Sequence, residues 1–172
     1  MHILELSSVR AVTLEIPGAE PWHAKPKDPA VVVMTDFRER PSVTVSELST
    51  IDAALEHMKH AGVRSAFATD GSARAVVGMI TAYDILGEKP MRLMQAISTP
   101  RSEMLVRDIM QRIGEWKVVD IEDVERATVA SVAQLFMDSD LSHVPVMETD
   151  ARGEQRLRGL LSAARVKRLL TR

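Results

Sequence analysis

The chain of 172 residues contains no cysteine, and aromatic residues make up only 3% of it. Without cysteine there is no disulfide framework, no thiolate metal site and no cysteine nucleophile. With so few aromatics, Val, Ala, Leu and ten Met must fill the interior, and Met packs adaptably. No apolar run approaches the length of a membrane span. The opening Met1-His2-Ile3-Leu4-Glu5-Leu6 lacks the basic region and continuous apolar stretch of a signal peptide. There is no glycine-rich phosphate loop. Together these absences point to a cytoplasmic protein with no membrane partner. What is present is ordinary for a globular chain: 45% hydrophobic and 27% charged residues, which excludes wholesale disorder. The length suits one sizeable core or two small fused units.

Neither sign of charge dominates: 22 Lys and Arg stand against 24 Asp and Glu. The net charge of −2 disfavours bulk nucleic-acid binding, as does the lack of aromatic residues among the basic ones. The distribution is nonetheless uneven. From position 151 onward stand Arg152, Arg156, Arg158, Arg165, Lys167, Arg168 and Arg172 against the single acid Glu154. A solvated turn followed by a helix with cations at its C-terminal end accounts for most of these.

The strongest positive feature is internal repetition, which fixes architecture before any single residue is read. Thr50-Ile51-Asp52-Ala53-Ala54-Leu55 and Thr128-Val129-Ala130-Ser131-Val132-Ala133 stand 78 positions apart. At the same offset, Val63 to Asp70 answers Leu141 to Glu148. Val77-Gly78-Met79-Ile80-Thr81-Ala82-Tyr83-Asp84 then answers Arg158-Gly159-Leu160-Leu161-Ser162-Ala163-Ala164-Arg165, with extra residues in the polar turn before Arg156. The sharpest chemical difference between the copies is Asp84 against Arg165.

Each copy reads as strand, helix, strand, strand, helix. In the first, Val43-Thr44-Val45 is extended. Thr50 is an N-cap, Ile51, Ala54, Leu55 and Met58 share a helical face, and Gly62 ends that helix. Ser65 to Thr69 and Ala75 to Ile80 are strands around the turn Asp70-Gly71-Ser72, and Thr81 opens a short helix that Gly87 stops. In the second, Val118 to Ile121 is extended. Thr128 caps a helix burying Val129, Val132, Ala133 and Phe136. His143 to Met147 and Arg156 to Leu161 are the strand pair, and Ser162 caps a final helix with Val166, Leu169 and Leu170 inward. Residues 1–29 form an extension with a candidate strand from Val9 to Ile16, four prolines and Trp22 as an anchor. Residues 30–87 are the first repeat, 88–105 a linker helix with Met91, Met94 and Ile97 at helical spacing, and 106–172 the second repeat. A unit this small has too little core to stand alone. The expected fold is therefore α/β (α+β), two βαββα-like repeats packed sheet to sheet around one core as a pseudo-two-fold module.

At this point the chain resembles tandem CBS domains, the regulatory modules named after cystathionine β-synthase. The residues that carry the resemblance are Val33-Met34-Thr35-Asp36-Phe37 and Ile109-Met110 at the repeat starts, Ser65 to Asp70 and His143-Val144-Pro145-Val146-Met147-Glu148 in mid-repeat, and Gly78-Met79-Ile80-Thr81-Ala82-Tyr83-Asp84 at the strand-to-helix junction. It spans roughly residues 30 to 170. The resemblance implies a non-catalytic module with no required cofactor. It implies binding of an adenosine compound, AMP, ADP, ATP or S-adenosylmethionine, in clefts that each cross the two repeats. One cleft would use Met79, Ile80, Thr81 and Asp84 with Val119, Asp120, Ile121, Leu141, Ser142, His143 and Val144. The other would use Ser162 and Arg165 with Val43, Thr44, Val63, Arg64, Ser65 and Ala66. It also implies pairing into a flat homodimer through the helices that start at Thr50, Thr81, Thr128 and Ser162.

The residues themselves leave alternatives open. Thr-x-x-Asp at a strand-to-helix junction is a capping arrangement. The same geometry suits a phosphate at the helix start and a ribose on the carboxylate. Arg165 cannot accept from ribose hydroxyls but binds phosphate bidentately. Its cleft is therefore open to no ligand, to another anion, or to the phosphates of a ligand held at Asp84, and a plain surface role is equally compatible. His57 and His60 lie off the buried face of their helix with no third ligand, so no metal site is expected. His143 has no serine and acid to complete a triad, so no catalytic residue is assigned. The functional expectation is a regulatory binding module. The alternative is a dimerisation or partner-docking module that takes no small molecule.

Overall fold

The computed structural model of the chain describes residues 23–71 and 75–170. The candidate strand Val9–Ile16, the anchor Trp22 and Ser72 of the first turn lie outside the described residues. Eight strands and seven α-helices are described. Those of the first half are β1 (Thr35–Asp36), β2 (Thr44–Ser46), α1 (Ile51–His60), β3 (Ser65–Thr69), β4 (Val76–Thr81), α2 (Ala82–Leu86) and α3 (Lys89–Ile97). Those of the second half are α4 (Val106–Ile109), β5 (Gln111–Arg112), β6 (Val119–Asp120), α5 (Ile121–Arg126), α6 (Val129–Met137), β7 (His143–Thr149), β8 (Gln155–Ser162) and α7 (Ala163–Leu170). A 3₁₀ helix over Ala30–Val33 leads into β1.

Local chemistry sets the main helices. The Thr50 and Thr128 side chains accept from Ala53 N and Ser131 N, each satisfying an otherwise unpaired first-turn donor. Ile51, Ala54, Leu55 and Met58 form the buried stripe of α1, and Gly62, at φ 68°, turns the chain out of it. In the second repeat Val129 and Val132 are buried, with Ala133 and Phe136 packed beside them. Val118 to Ile121 is extended only as far as Asp120. The Asp120 carboxylate accepts from Glu122 N at 2.8 Å and starts α5, a helix that sequence pattern alone did not suggest.

The strands make two four-stranded sheets, in the orders β2-β3-β4-β5 and β1-β8-β7-β6. Each repeat therefore lends its leading edge strand to the sheet of the other. β5 pairs antiparallel with β4 through Gly78↔Arg112 and Met79↔Gln111, and β1 pairs antiparallel with β8 through Thr35↔Leu160 and Asp36↔Gly159. Glycine is needed at both crossings. A Cβ at Gly78 would stand 2.7 Å from the Gln111 carbonyl oxygen and 2.7 Å from Met110 Sδ. At Gly159 it would stand 2.7 Å from the Thr35 carbonyl oxygen and 2.8 Å from Met34 Sδ. Even the ladder irregularities repeat, at Ala68/Thr69 and at Val146/Met147.

Packing follows the exchange and departs from the expected single core. One hydrophobic cluster joins Ala24, Ala30, Val33 and Met34 to the second repeat, among them Val129, Val146, Leu161 and Leu169. Another joins Met104, Val106, Ile109 and Met110 to the first, among them Ile51, Met58, Ile80 and Ile85. A smaller third cluster of Phe67, Met79 and Leu160, with Phe37 and Trp116 beside them, fills the space between the sheets. The Phe37 and Phe67 rings meet edge to face at 5.6 Å. Each sheet covers its helix side with its own core, so only the aromatic-rich face is left for the inter-sheet contact. Among the described residues no helix is long and apolar enough to cross a membrane.

Candidate functional site

The chain leaves β4 for α2 at Thr81, whose extended backbone puts its hydroxyl over the first helical turn. Thr81 Oγ1 accepts from Asp84 N at 3.1 Å. Asp84 Oδ2 in turn accepts from Thr81 N and Thr81 Oγ1, both at 2.8 Å, completing a capping box. Lys89 Nζ, at the start of α3, stands 2.6 Å from the other carboxylate oxygen. The Asp84 side chain is 16% exposed; Oδ2 is filled by its two bonds from Thr81, and Oδ1, beside Lys89, is the oxygen that keeps acceptor capacity.

The second junction is built alike. Ala82 N donates to Arg64 O at 2.9 Å, and Ala163 N donates to Ser142 O at 3.0 Å, so each helix start is tied to the residue before the neighbouring strand. Where Asp84 closes a box, Arg165 turns back and donates from Nε to Val33 O at 3.1 Å. It is half-buried against the 3₁₀ helix that leads into β1, not a freely solvated surface residue.

Both junctions open into the groove between the repeats. The cavity at Asp84 measures about 370 Å³, and Met79, Thr81, Asp84, Leu141, Ser142 and His143 line it together. Its other walls are Tyr83, Lys89, Gln111, Glu115 and Asp140. The cavity at Arg165 measures about 580 Å³ and brings together Val43, Val63, Arg64, Ser65, Ser162 and Arg165. Arg40 and Arg168 add further cations, and Phe37, Pro41, Phe67 and Leu160 add an apolar wall. The two ends thus carry opposite charge: Asp84, Glu115 and Asp140 against Lys89 at one, four arginines at the other.

The remaining residues singled out in the sequence stand elsewhere. Ile80 and Val144 are buried in the cores. Val119 lines a separate apolar cavity of about 170 Å³ with Val124, Val132 and Leu135. Ile121 is buried in the second core, and Asp120 caps α5. Thr44 is exposed on β2, and Ala66 is buried in the first core. The sequence reading did not place Phe37, Arg40, Gln111 and Glu115 in the clefts. They arrive there because β1 and β5 cross to the opposite sheet, and the matching Met-bearing starts of the repeats, Met34 and Met110, were the available signal.

His143 sits at the first position of β7 and is 9% exposed. Its Nδ1 is 3.0 Å from Ser142 Oγ. Burial pushes its pKa below the ordinary histidine value, and the Asp84 charge opposes that shift without cancelling it. His143 is therefore a neutral wall residue at physiological pH. His57 and His60 lie exposed on α1.

The family model of the CBS domain matches residues 32–90. No curated protein matches the chain. Among solved structures, CBSX2, a CBS-pair protein of Arabidopsis thaliana, in complex with AMP superposes with a TM-score of 0.54 at 22% identity, over 83% of this chain and 94% of that one. The CBS-domain containing protein ATU1752 from Agrobacterium tumefaciens superposes with a TM-score of 0.57 at 16% identity, over 91% of this chain and 98% of that one. A hexameric CBS-CP12 protein from bloom-forming cyanobacteria gives 0.53 at 22% identity, over 80% of this chain and 65% of that one. Residues 32–90 are thus a CBS domain, and the chain as a whole has the fold of a tandem CBS pair.

Proposed function

We propose that this chain is a regulatory module that catalyses no reaction and binds an adenosine compound in the groove between its repeats. The observation that carries the reading is Asp84: a carboxylate fixed by Thr81 and Lys89 faces a cavity built from both repeats. A pre-oriented acceptor of this kind suits the paired hydroxyls of a ribose. Thr81 orients it, and the Leu141 to His143 segment forms the opposite wall. The complex of CBSX2 with AMP, a protein of the same fold, supports the choice of ligand class. Because the groove is shared, a ligand that favours one arrangement of the repeats over another shifts the population between them, which is how binding becomes a signal. The setting is cytoplasmic.

Calorimetry against AMP, ADP, ATP and S-adenosylmethionine tests the reading. Asp84→Ala removes a charged acceptor, worth roughly 1.5–3 kcal/mol, so affinity should fall about ten- to a hundredfold. The melting temperature of the variant must be measured beside it, since the same carboxylate closes the capping box. If the folded wild-type protein binds none of the four, the sensing role is wrong. The second reading, a dimerisation or docking module without a ligand, then stands. It rests on the exposed apolar side chains of α2 and α3: Leu86, Met91, Met94 and Ile97.

A further inference from the structure

Asp84 has less room for a ligand than a free carboxylate. A carboxylate offers about four lone-pair sites. Thr81 N and Thr81 Oγ1, both at 2.8 Å, fill the two on Oδ2. Lys89 Nζ, at 2.6 Å, takes one of the two on Oδ1. One site is left. A ribose brings two hydroxyls, so both can be accepted only if Lys89 gives up its place. Thr81 is not the group that yields, because its bonds with Asp84 close the capping box that starts α2. Lys89 can yield: its side chain is 51% exposed and lines the same cavity, so its ammonium can swing into solvent.

What Lys89 holds is α3. Pro90 is the one buried residue of this helix, and Leu93 packs partly buried against the first core. The N-cap residue, Glu88, makes no side-chain capping bond. Met91, Met94 and Ile97 are exposed. Among the described residues, the Lys89 ammonium makes the only side-chain bonds from α3 to other elements. They are the Asp84 pair on α2 and a 3.3 Å bond to the Ile109 carbonyl oxygen at the end of α4. A helix with so little burial belongs to the low-stability end of a fold and opens locally at small cost.

We propose that Lys89 is the chain's own occupant of the ribose site: it sits on Asp84 in the free protein, and a ligand that brings both ribose hydroxyls displaces it and releases α3. This rests on the reading that Asp84 holds a ribose. The ligand does not have to deform either sheet. The ion pair it breaks is the one that ties α3 down, and the exposed Met91, Met94 and Ile97 move with that helix. The held and released states then differ in their affinity for the ligand, which is the difference a switch requires.

Calorimetry with AMP and 2′-deoxy-AMP, on the wild type and on Lys89→Met, tests the displacement. AMP brings two ribose hydroxyls and the deoxy compound one. Lys89→Met should bind AMP about three- to fivefold more tightly, the upper end of what a half-exposed pair is worth, and leave 2′-deoxy-AMP unchanged. Hydrogen exchange is the second readout. Saturating AMP should speed exchange at the amides of residues 91–97 several-fold, and Lys89→Met should show the same without ligand. The β3 and β4 amides of Lys89→Met should exchange as in the wild type, which separates release of α3 from general loosening. Weaker AMP binding by Lys89→Met, or exchange in α3 that AMP leaves unaltered, overturns the displacement, while a preference for AMP over 2′-deoxy-AMP still supports Asp84 as a ribose site. If both proteins bind the two compounds equally, or neither binds them, the Asp84 reading falls and the displacement with it.

Discussion

Replacing Gly159 by alanine should break the exchange of edge strands at one point and leave the rest of the chain unaltered. The new Cβ would lie 2.7 Å from the Thr35 carbonyl oxygen, 2.8 Å from Met34 Sδ and 3.0 Å from Met34 Cγ. The methionine can swing aside. The carbonyl can move only if β1 itself leaves the sheet, because it belongs to that strand of two residues. Its anchors are the Thr35↔Leu160 and Asp36↔Gly159 pairs, the bond from Phe37 N to Arg158 O at 3.1 Å and the Asp36–Arg158 ion pair. Forcing an extra carbon into such a site costs about 1–3 kcal/mol. Giving up the two or three backbone bonds of β1 instead costs a similar amount, at about 1 kcal/mol each. The cheaper route sets the loss, about 1–3 kcal/mol. Urea denaturation should show this as a midpoint lowered by about 1 M with an unchanged slope. Gly114→Ala is the control, since a Cβ there meets nothing within 4 Å, and should stay within about 0.5 kcal/mol of wild type. Gly78→Ala should behave like Gly159→Ala, because the Gln111 carbonyl oxygen blocks it in the same way. A Gly159→Ala protein as stable as Gly114→Ala would refute the argument that close backbone approach is what selects glycine here.

Other outcomes follow from the same contacts. His143 titrates below its ordinary value of about 6.5 because it is buried. The folded state therefore resists the proton: stability is full above pH 6.5 and is lost as pH falls through the depressed value. His143→Gln should flatten that part of the stability–pH curve, and an unaltered slope would rule the residue out as its source. Arg158 is 11% exposed and faces Asp36 and Glu148. Arg158→Met should cost about 1–3 kcal/mol, less than a fully buried pair because both acids are partly solvated and Glu148 keeps Arg38. Burial raises the Asp36 pKa, but its contacts with Arg158 and Arg38 outweigh this and hold it below the ordinary carboxylate value. Stability from Asp36 is thus present above that value and lost as pH falls through the depressed one, a slope that should shrink in Arg158→Met. The chain should form a homodimer that covers Leu86, Met91, Met94 and Ile97. Met94→Glu/Ile97→Glu should lower its mass in light scattering, and a wild-type mass of 19.0 kDa at high concentration would count against pairing.

Elements with a cap and a periodic apolar face were legible in the sequence. Thr50 and Thr128 announce α1 and α6, and the strand pairs are runs long enough for their pattern to show. β1 and β5 were not legible as crossing strands, because two residues carry no periodicity. What fixes them is a glycine on the receiving strand and a methionine before the crossing one, a long-range pairing that no local window contains. The same cause hid part of the site. Thr81, Asp84 and His143 stand in motifs that repeat, whereas Arg40 and Glu115 reach the clefts only through the crossing. Asp120 illustrates a local ambiguity: a short acid after an extended pair reads equally as a cleft wall or as a helix cap, and its bond to Glu122 N makes it a cap.

The loan of β1 and β5 also decides how the molecule can be taken apart. A fragment limited to residues 37–104 would keep β2, β3 and β4 but leave the outer edge of β4 bare. A fragment starting at residue 113 would leave β8 bare in the same way. Bare edges invite pairing with other chains. A cut at the α3–α4 connection instead gives halves that each carry the strand the other lacks, 23–104 with β1 and 105–170 with β5. Such halves, separately insoluble, should dissolve on mixing, each acting as the chaperone of its counterpart.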